Sequence, residues 1–262
     1  MDLGLQNMVA IVTGGSFGIG RAAAERFARE GARVAIVARK QADLDTAAAE
    51  IAAATGAEVL PVAADVGNME QIRAMAERVR ERFGRIDILV NNAGTGNANP
   101  FEAMDDELLE ADLQLKLYGA VHCIRAVLPA LKERGGVIVN ITTPAGKAAP
   151  GASVPTSLSR AAGIALTKAL ANEYAAAGIR VNTVCVSNIR SRQNDRRWQR
   201  QHAGDPSYTL EQFYQDGGKQ IPLGRIAAAE EAGDVIVFLA SARAAFVTGS
   251  AINVDGGAAP TV

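Results

Sequence analysis

Short, nearly continuous apolar runs alternate with longer helical stretches from one end of the chain to the other. The runs at 9–13, 33–37, 58–62, 86–90, 137–141, 180–185 and 251–254 are rich in β-branched residues. Such runs fit strands of a parallel sheet whose two faces are both covered by helices. Between them, 18–29, 42–54, 69–83, 107–132, 157–177 and 230–239 read as helices, and Gly31, Gly56, Gly84 and Gly178 stand where left-handed caps would end four of them. Strand, helix and strand repeated in this way, joined by right-handed crossovers, predict an α/β fold. The expectation is a single Rossmann-type, doubly wound parallel sheet of about seven strands with helices on both faces. One domain is expected to span 1–262, since no low-complexity linker or short repeat divides it.

The rhythm breaks between 186 and 221, where the sequence turns polar and Gly204, Pro206, Gly217 and Gly218 interrupt it. A connection of this length inside a compact domain is usually a lid or a binding element. Arg190, Arg192, Arg196, Arg197 and Arg200 surround Trp198 there, with Asp195 the one acid opposing them. Two readings stay open: a solvated helical face, or a lid that recognises an anionic or extended substrate.

Charge and composition narrow the partners. Lys and Arg number 27 against 28 Asp and Glu, so no net charge favours nucleic acid or an anionic membrane. Cys123 and Cys185 sit in apolar segments as small core residues, and His122 and His202 have no metal-ligand spacing. No metal site is expected. Met1 to Gln6 carry no secretory pattern, and no apolar run is long enough to span a bilayer. Cytoplasm is the default compartment.

The most informative run is Thr13-Gly14-Gly15-Ser16-Phe17-Gly18-Ile19-Gly20, because it joins the first strand to the first helix. Glycines there permit a tight turn and close approach of a pyrophosphate, and the helix N-terminus offers unpaired N–H groups and the positive end of its dipole. Thr13, Gly14, Ser16, Phe17, Gly18, Ile19 and Gly20 are accordingly candidate cofactor-binding residues. At the end of the second strand, an acidic residue would accept hydrogen bonds from a free ribose and repel a 2′-phosphate. This chain has Ala38 followed by Arg39 and Lys40, and Arg39 can fork onto phosphate and stack on adenine. NADP(H) is therefore expected over NAD(H).

Further runs extend the picture to most of the chain: Asp65-Val66, Asn91-Asn92-Ala93-Gly94, Ile179-Arg180-Val181-Asn182, Pro222-Leu223-Gly224-Arg225, Thr248-Gly249 and Val254-Asp255-Gly256-Gly257. With them the sequence resembles a short-chain dehydrogenase/reductase of the kind that includes 3-oxoacyl carrier-protein reductases. The resemblance implies that Asp65 contacts adenine beside Val66, that Asn91, Ala93 and Gly94 support and line the cofactor cleft, and that the protein is a homotetramer (or dimer). It also implies a small-molecule substrate, anionic or an acyl thioester among the options.

All four catalytic positions of that family are substituted. The tyrosine that gives or takes the proton corresponds to Thr156, and the lysine four residues on to Arg160. The serine thirteen residues before Thr156 becomes Thr143, and the asparagine three residues before Gly119 becomes Lys116. The proline–glycine that follows the sixth strand is replaced by Val186-Ser187. Thr143 keeps a hydroxyl and Arg160 keeps a charge able to hold the nicotinamide ribose, but arginine does not relay protons near neutral pH. An aliphatic hydroxyl is a far weaker acid than a phenol near pKa ~10. Lys116 has three readings: a substitute acid of lowered pKa, an anion pocket shared with Arg160, or a structural residue of its helix. Lys147 and Tyr118 are weaker candidates. Two functions follow: an NADP(H)-dependent oxidoreductase on a small or acyl-chain carbonyl, or a non-redox enzyme or cofactor-binding partner protein that kept the fold.

Overall fold

The computed structural model describes residues 1–262, the side chains of Arg192 and Gln193 excepted. Its strands are β1 Val9–Thr13, β2 Arg33–Ala38, β3 Val59–Ala63, β4 Ile88–Asn91, β5 Ala98–Asn99, β6 Gly136–Thr142, β7 Val154–Pro155, β8 Ile179–Val186 and β9 Ala251–Val254. Seven form one sheet in the order β3-β2-β1-β4-β6-β8-β9, every neighbouring pair parallel. The chain order reverses between β1 and β4, and ligands of such sheets bind at the carboxyl ends of the strands flanking that point. The short antiparallel pair β5 and β7 lies outside the sheet, and no sequence pattern foretold it.

Alternation along the buried strands builds two cores. In β1, Ala10 and Val12 join one cluster, with Phe27 of α1 (Gly18–Arg29), Ile51 of α2 (Gln41–Thr55) and Ile236 of α9 (Ala229–Ala240). Val9 and Ile11 join the other, with Met75 of α3 (Met69–Phe83), Val127 of α5 (Gly119–Arg134) and Ala171 of α6 (Thr156–Tyr174). Successive strand residues point to opposite faces, so a continuous apolar run serves both layers. Strand ends fall within two residues of those expected.

The helix expected over 107–132 needs correction. It is α4 (Asp106–Leu113), a single π turn over Gln114–Tyr118, and then α5. The Gly119 N–H bonds back to the Gln114 carbonyl, so one extra residue is accommodated within the turn. Lys116 and Gly119 both face inward as a result. A Cβ on Gly119 would meet Val66 Cγ2 at 2.7 Å. The segment 186–221, expected as a solvated helical face or a lid, holds α7 (Arg192–His202) and α8 (Leu210–Gly218). Ser191 caps the first, and Thr209 with Gln212 forms a capping box on the second. Gly217 and Gly218 end α8 rather than break it, because a Cβ on either would meet Ile226 or Arg225 within 2.8 Å.

Candidate active site

The glycine-rich run crosses the carboxyl end of β1 and enters α1. Gly14 and Gly18 have φ of 65° and 55°, the left-handed region that glycine enters without strain. A Cβ on Gly20 would lie 2.3 Å from the Gly14 carbonyl oxygen, and one on Gly15 2.8 Å from Ile36. A Cβ on Gly18 would meet nothing within 4 Å. The turn is thus closed against the protein at Gly15 and Gly20 and open at Gly18. Among the described residues the α1 N-terminus has no side-chain cap, and its first turn carries no acid. That combination suits a pyrophosphate.

Thr13 sits beneath the turn, with its hydroxyl accepting the Asn92 and Ala93 N–H groups at 2.9 and 3.0 Å. Asn92 Nδ2 donates to the Thr13 and Gly14 carbonyls at 2.9 and 3.3 Å. Asn92 was not singled out as a site residue, although its motif was. It ties the ends of β1 and β4 together across the switch point. Arg39 and Lys40 stand exposed just past β2, in no ion pair among the described residues. Asp65 turns its carboxylate back onto the Gly67 N–H at 2.9 Å, and Val66 is buried beside Gly119.

Below this cradle the structure gathers Lys116, Thr156 and Arg160. Lys116 Nζ donates to Thr156 Oγ1 at 3.2 Å and forms an ion pair with Asp112, and both charged side chains are 0% exposed. The Asp112 carboxylate also accepts Ser159 Oγ at 2.7 Å and Asn97 Nδ2 at 3.2 Å. The Asn97 backbone N–H donates to Thr156 Oγ1 at 3.1 Å. Thr156 therefore accepts two hydrogen bonds from nitrogen. A hydroxyl with both lone pairs so engaged is left with its hydrogen to donate.

Arg160 Nη1 donates to the Ile141 carbonyl at 2.8 Å, while its buried Nε has no partner among the described residues. A Cβ on Gly94 would sit 2.8 Å from Arg160 Nη2, so only glycine admits the guanidinium there. Asn91 Nδ2 donates to Asn140 Oδ1 at 2.9 Å, and Asn91 Oδ1 is likewise buried and unpartnered. Lys116, Arg160, Asn91 and Thr13 line one cavity of about 20 Å³, the size of a single water.

Burial, and then the Arg160 charge, pull the Lys116 ammonium from its usual 10.5 down to about 8, against the opposing pull of Asp112. Burial also lowers Arg160, to about 10. A lysine near 8 exchanges protons at physiological pH, whereas an arginine near 10 stays charged.

Thr143 lies at the end of β6, N-terminal to a short turn of helix over Pro144–Gly146. Its Oγ1 is buried without a partner among the described residues, the other three included. Lys147 is committed elsewhere, donating to the Ala251 carbonyl and Asn253 Oδ1, each at 2.7 Å. Tyr118 is exposed. The residue that sequence reasoning missed is Asp112. Its signal was its place four residues before Lys116, the spacing at which helical side chains meet.

Among the described residues no group of His, Cys, Asp and Glu could hold a metal ion, and no helix is long and apolar enough to cross a membrane.

Comparison with known proteins bears on these features. A family model described as enoyl-(acyl carrier protein) reductase matches residues 14–259. The oxidoreductase UcpA of Salmonella typhimurium is 35% identical over 256 residues, 97% of this chain and 95% of that protein. The 3-oxoacyl-(acyl-carrier-protein) reductase FabG of Thermotoga maritima is 33% identical over 254 residues, covering 97% and 98%. L-sorbose reductase from Gluconobacter frateurii, solved with NADPH and L-sorbose, superposes with a TM-score of 0.94 at 35% identity over 100% of both chains. An NADPH-bound short chain oxidoreductase from Pseudomonas aeruginosa PAO1, described as containing an atypical catalytic center, superposes at 0.91 with 36% identity, over 98% and 99%.

Proposed function

The chain belongs to the short-chain dehydrogenase/reductase superfamily, and on that premise we propose that it is an NADP(H)-dependent carbonyl reductase whose proton donor is Thr156 backed by Lys116. The observation that carries the proposal is the Lys116 to Thr156 hydrogen bond at the foot of the glycine cradle. Two solved relatives that contain NADPH support the choice of cofactor. So do Arg39 and Lys40, which offer two cations to a 2′-phosphate where an acid would repel it.

NADPH, when bound, supplies a hydride to the carbonyl carbon. The uncapped α1 N-terminus and the open side of Gly18 would hold its pyrophosphate, and the unpartnered Nε of Arg160 and Oδ1 of Asn91 would face its nicotinamide end. As the carbonyl electron pair moves onto oxygen, the Thr156 hydroxyl gives up its hydrogen and takes one from Lys116 Nζ. Lys116 is left neutral and regains its proton from water. Thr143 Oγ1 supplies a second hydrogen bond to the developing alkoxide. Asp112 never leaves its place: it aims Nζ and keeps enough of it protonated. Exposed Phe101, Tyr118 and Leu158 are consistent with burial in the expected tetramer or dimer.

The test is NADPH oxidation with a panel of ketones and 3-oxoacyl thioesters, comparing the natural protein with Lys116→Ala. The proposal expects turnover by the first, its loss in the second, and nearly equal NADPH affinity in both. Equal turnover by both proteins would reject Lys116 as the source of the proton.

A further inference from the structure

The site just described uses none of the basic segment that follows β8. Arg190 is committed, paired with Glu211 at 3.3 Å and stacked 4.5 Å from the centre of the Tyr214 ring. Asp195, the acid among these arginines, accepts the Tyr214 hydroxyl at 2.6 Å and is in no ion pair with them among the described residues. Arg196, Arg197 and Arg200 are exposed, and none is in an ion pair among the described residues. All three line one cleft of about 820 Å³ between α7 and the strand Ala98–Asn99. Its wall contains Asn97, Asn99 and Gln199, but no carboxylate and no large apolar side chain.

This arrangement is selective. Like charges three and four residues apart on one helix repel, and their repulsion is relieved by an anion of matching charge. A phosphate finds three guanidinium forks and amide donors in such a cleft, and no carboxylate to repel it. One residue links the cleft wall to the reacting groups. Asn97 belongs to its wall, and the same residue holds Thr156 through its backbone and Asp112 through its side chain. At this volume the cleft has room for a ligand larger than the reacting carbonyl alone.

We propose that Arg196, Arg197 and Arg200 form the subsite for a polyanionic group, a phosphate or clustered carboxylates, carried by the carbonyl substrate remote from its reacting end. The inference rests on the reductase reading above and gives that reaction a substrate class. An anion seated there would anchor α7 against Asn97 and place the other end of the molecule near Thr156. Charge at the cleft mouth would also steer such substrates in, an effect that added salt weakens.

The experiment uses the NADPH-saturated protein, so that the 2′-phosphate and pyrophosphate positions of the cofactor are filled. Inorganic phosphate, pyrophosphate and citrate are titrated into it by calorimetry, and again into Arg196→Gln/Arg197→Gln/Arg200→Gln, whose NADPH affinity is measured alongside. Saturable binding of at least one anion is expected, weakened about tenfold or more in the triple variant, since charge-assisted bonds are lost. Preference for pyrophosphate identifies a phosphorylated substrate, and preference for citrate a polycarboxylate; either supports the subsite. Binding equal in both proteins, or of no anion at all, overturns it. If NADPH itself fails to bind, the reductase reading falls instead, and the two failures stay distinct.

Discussion

Asp112→Asn changes one oxygen for nitrogen and leaves the shape of the Lys116 pocket intact, yet it should move the pH dependence of the reaction. In the native site, burial and Arg160 lower Lys116 to about 8, while Asp112 pulls the other way. A neighbouring opposite charge at such range shifts a titrating group by roughly 1–3 units. Removing it lets Lys116 fall further, so the protonated donor is lost at a lower pH. The alkaline decline of kcat/KM for NADPH-driven reduction should therefore start near 8 in the natural protein and at least about one unit lower in the variant. At pH 7 the first unit of this fall costs only about twofold in rate, and each further unit approaches tenfold, equivalent to about 1.4 kcal/mol. An asparagine amide also offers fewer acceptors to Ser159 Oγ, Asn97 Nδ2 and Lys116 Nζ, so some stability is lost, of order 1–3 kcal/mol. The assay is a pH–rate profile, with NADPH affinity and urea unfolding as controls. A folded variant that binds NADPH normally and keeps the native profile would refute the role assigned to the Asp112–Lys116 pair.

Other outcomes follow from the same geometry. Arg39→Asp should weaken NADPH at least about tenfold and spare NADH, because it removes a phosphate fork and adds a repelling carboxylate; fluorescence titration with both cofactors reads this. Gly20→Ala places a Cβ 2.3 Å from the Gly14 carbonyl, so thermal melting should show a lowered Tm, and NADPH binding should be lost with the shape of the turn. Lys116 also makes stability depend on pH. Its folded pKa near 8 lies below the unfolded 10.5, so the unfolded chain binds the extra proton between those values, and the Lys116 contribution to stability must rise with pH through that window. Urea midpoints of the natural protein minus those of Lys116→Met, taken at several pH values, isolate this contribution.

The strands and the glycine cradle were legible because each rests on a local pattern: apolar runs for a sheet covered on both faces, glycines where a backbone must approach closely. Lys116, Thr143, Thr156 and Arg160 stood out in the sequence only as expected departures from the motif it resembles. What joins three of them lies in contacts remote in sequence. Asn97 reaches Thr156 across 59 residues and Lys116 reaches it across 40, and no periodicity encodes such pairs. The π turn was invisible for a different reason. Its extra residue is accommodated where Gly119 meets Val66, a tertiary contact, and without it the segment reads as an uninterrupted helix. In 186–221, glycine and polar content left a solvated helical face and a lid both open, and the caps at Ser191 and Thr209 that define two helices there were not picked out.

The most direct test of the central claim is to mix the natural protein with NADPH and a panel of ketones, 3-oxoacyl thioesters and phosphorylated carbonyl compounds near neutral pH, following cofactor binding by fluorescence and oxidation by absorbance. The account predicts saturable NADPH binding and steady oxidation with at least one carbonyl. Tight NADPH binding with no oxidation by any of them would contradict it, and would leave a protein that holds the cofactor without using it.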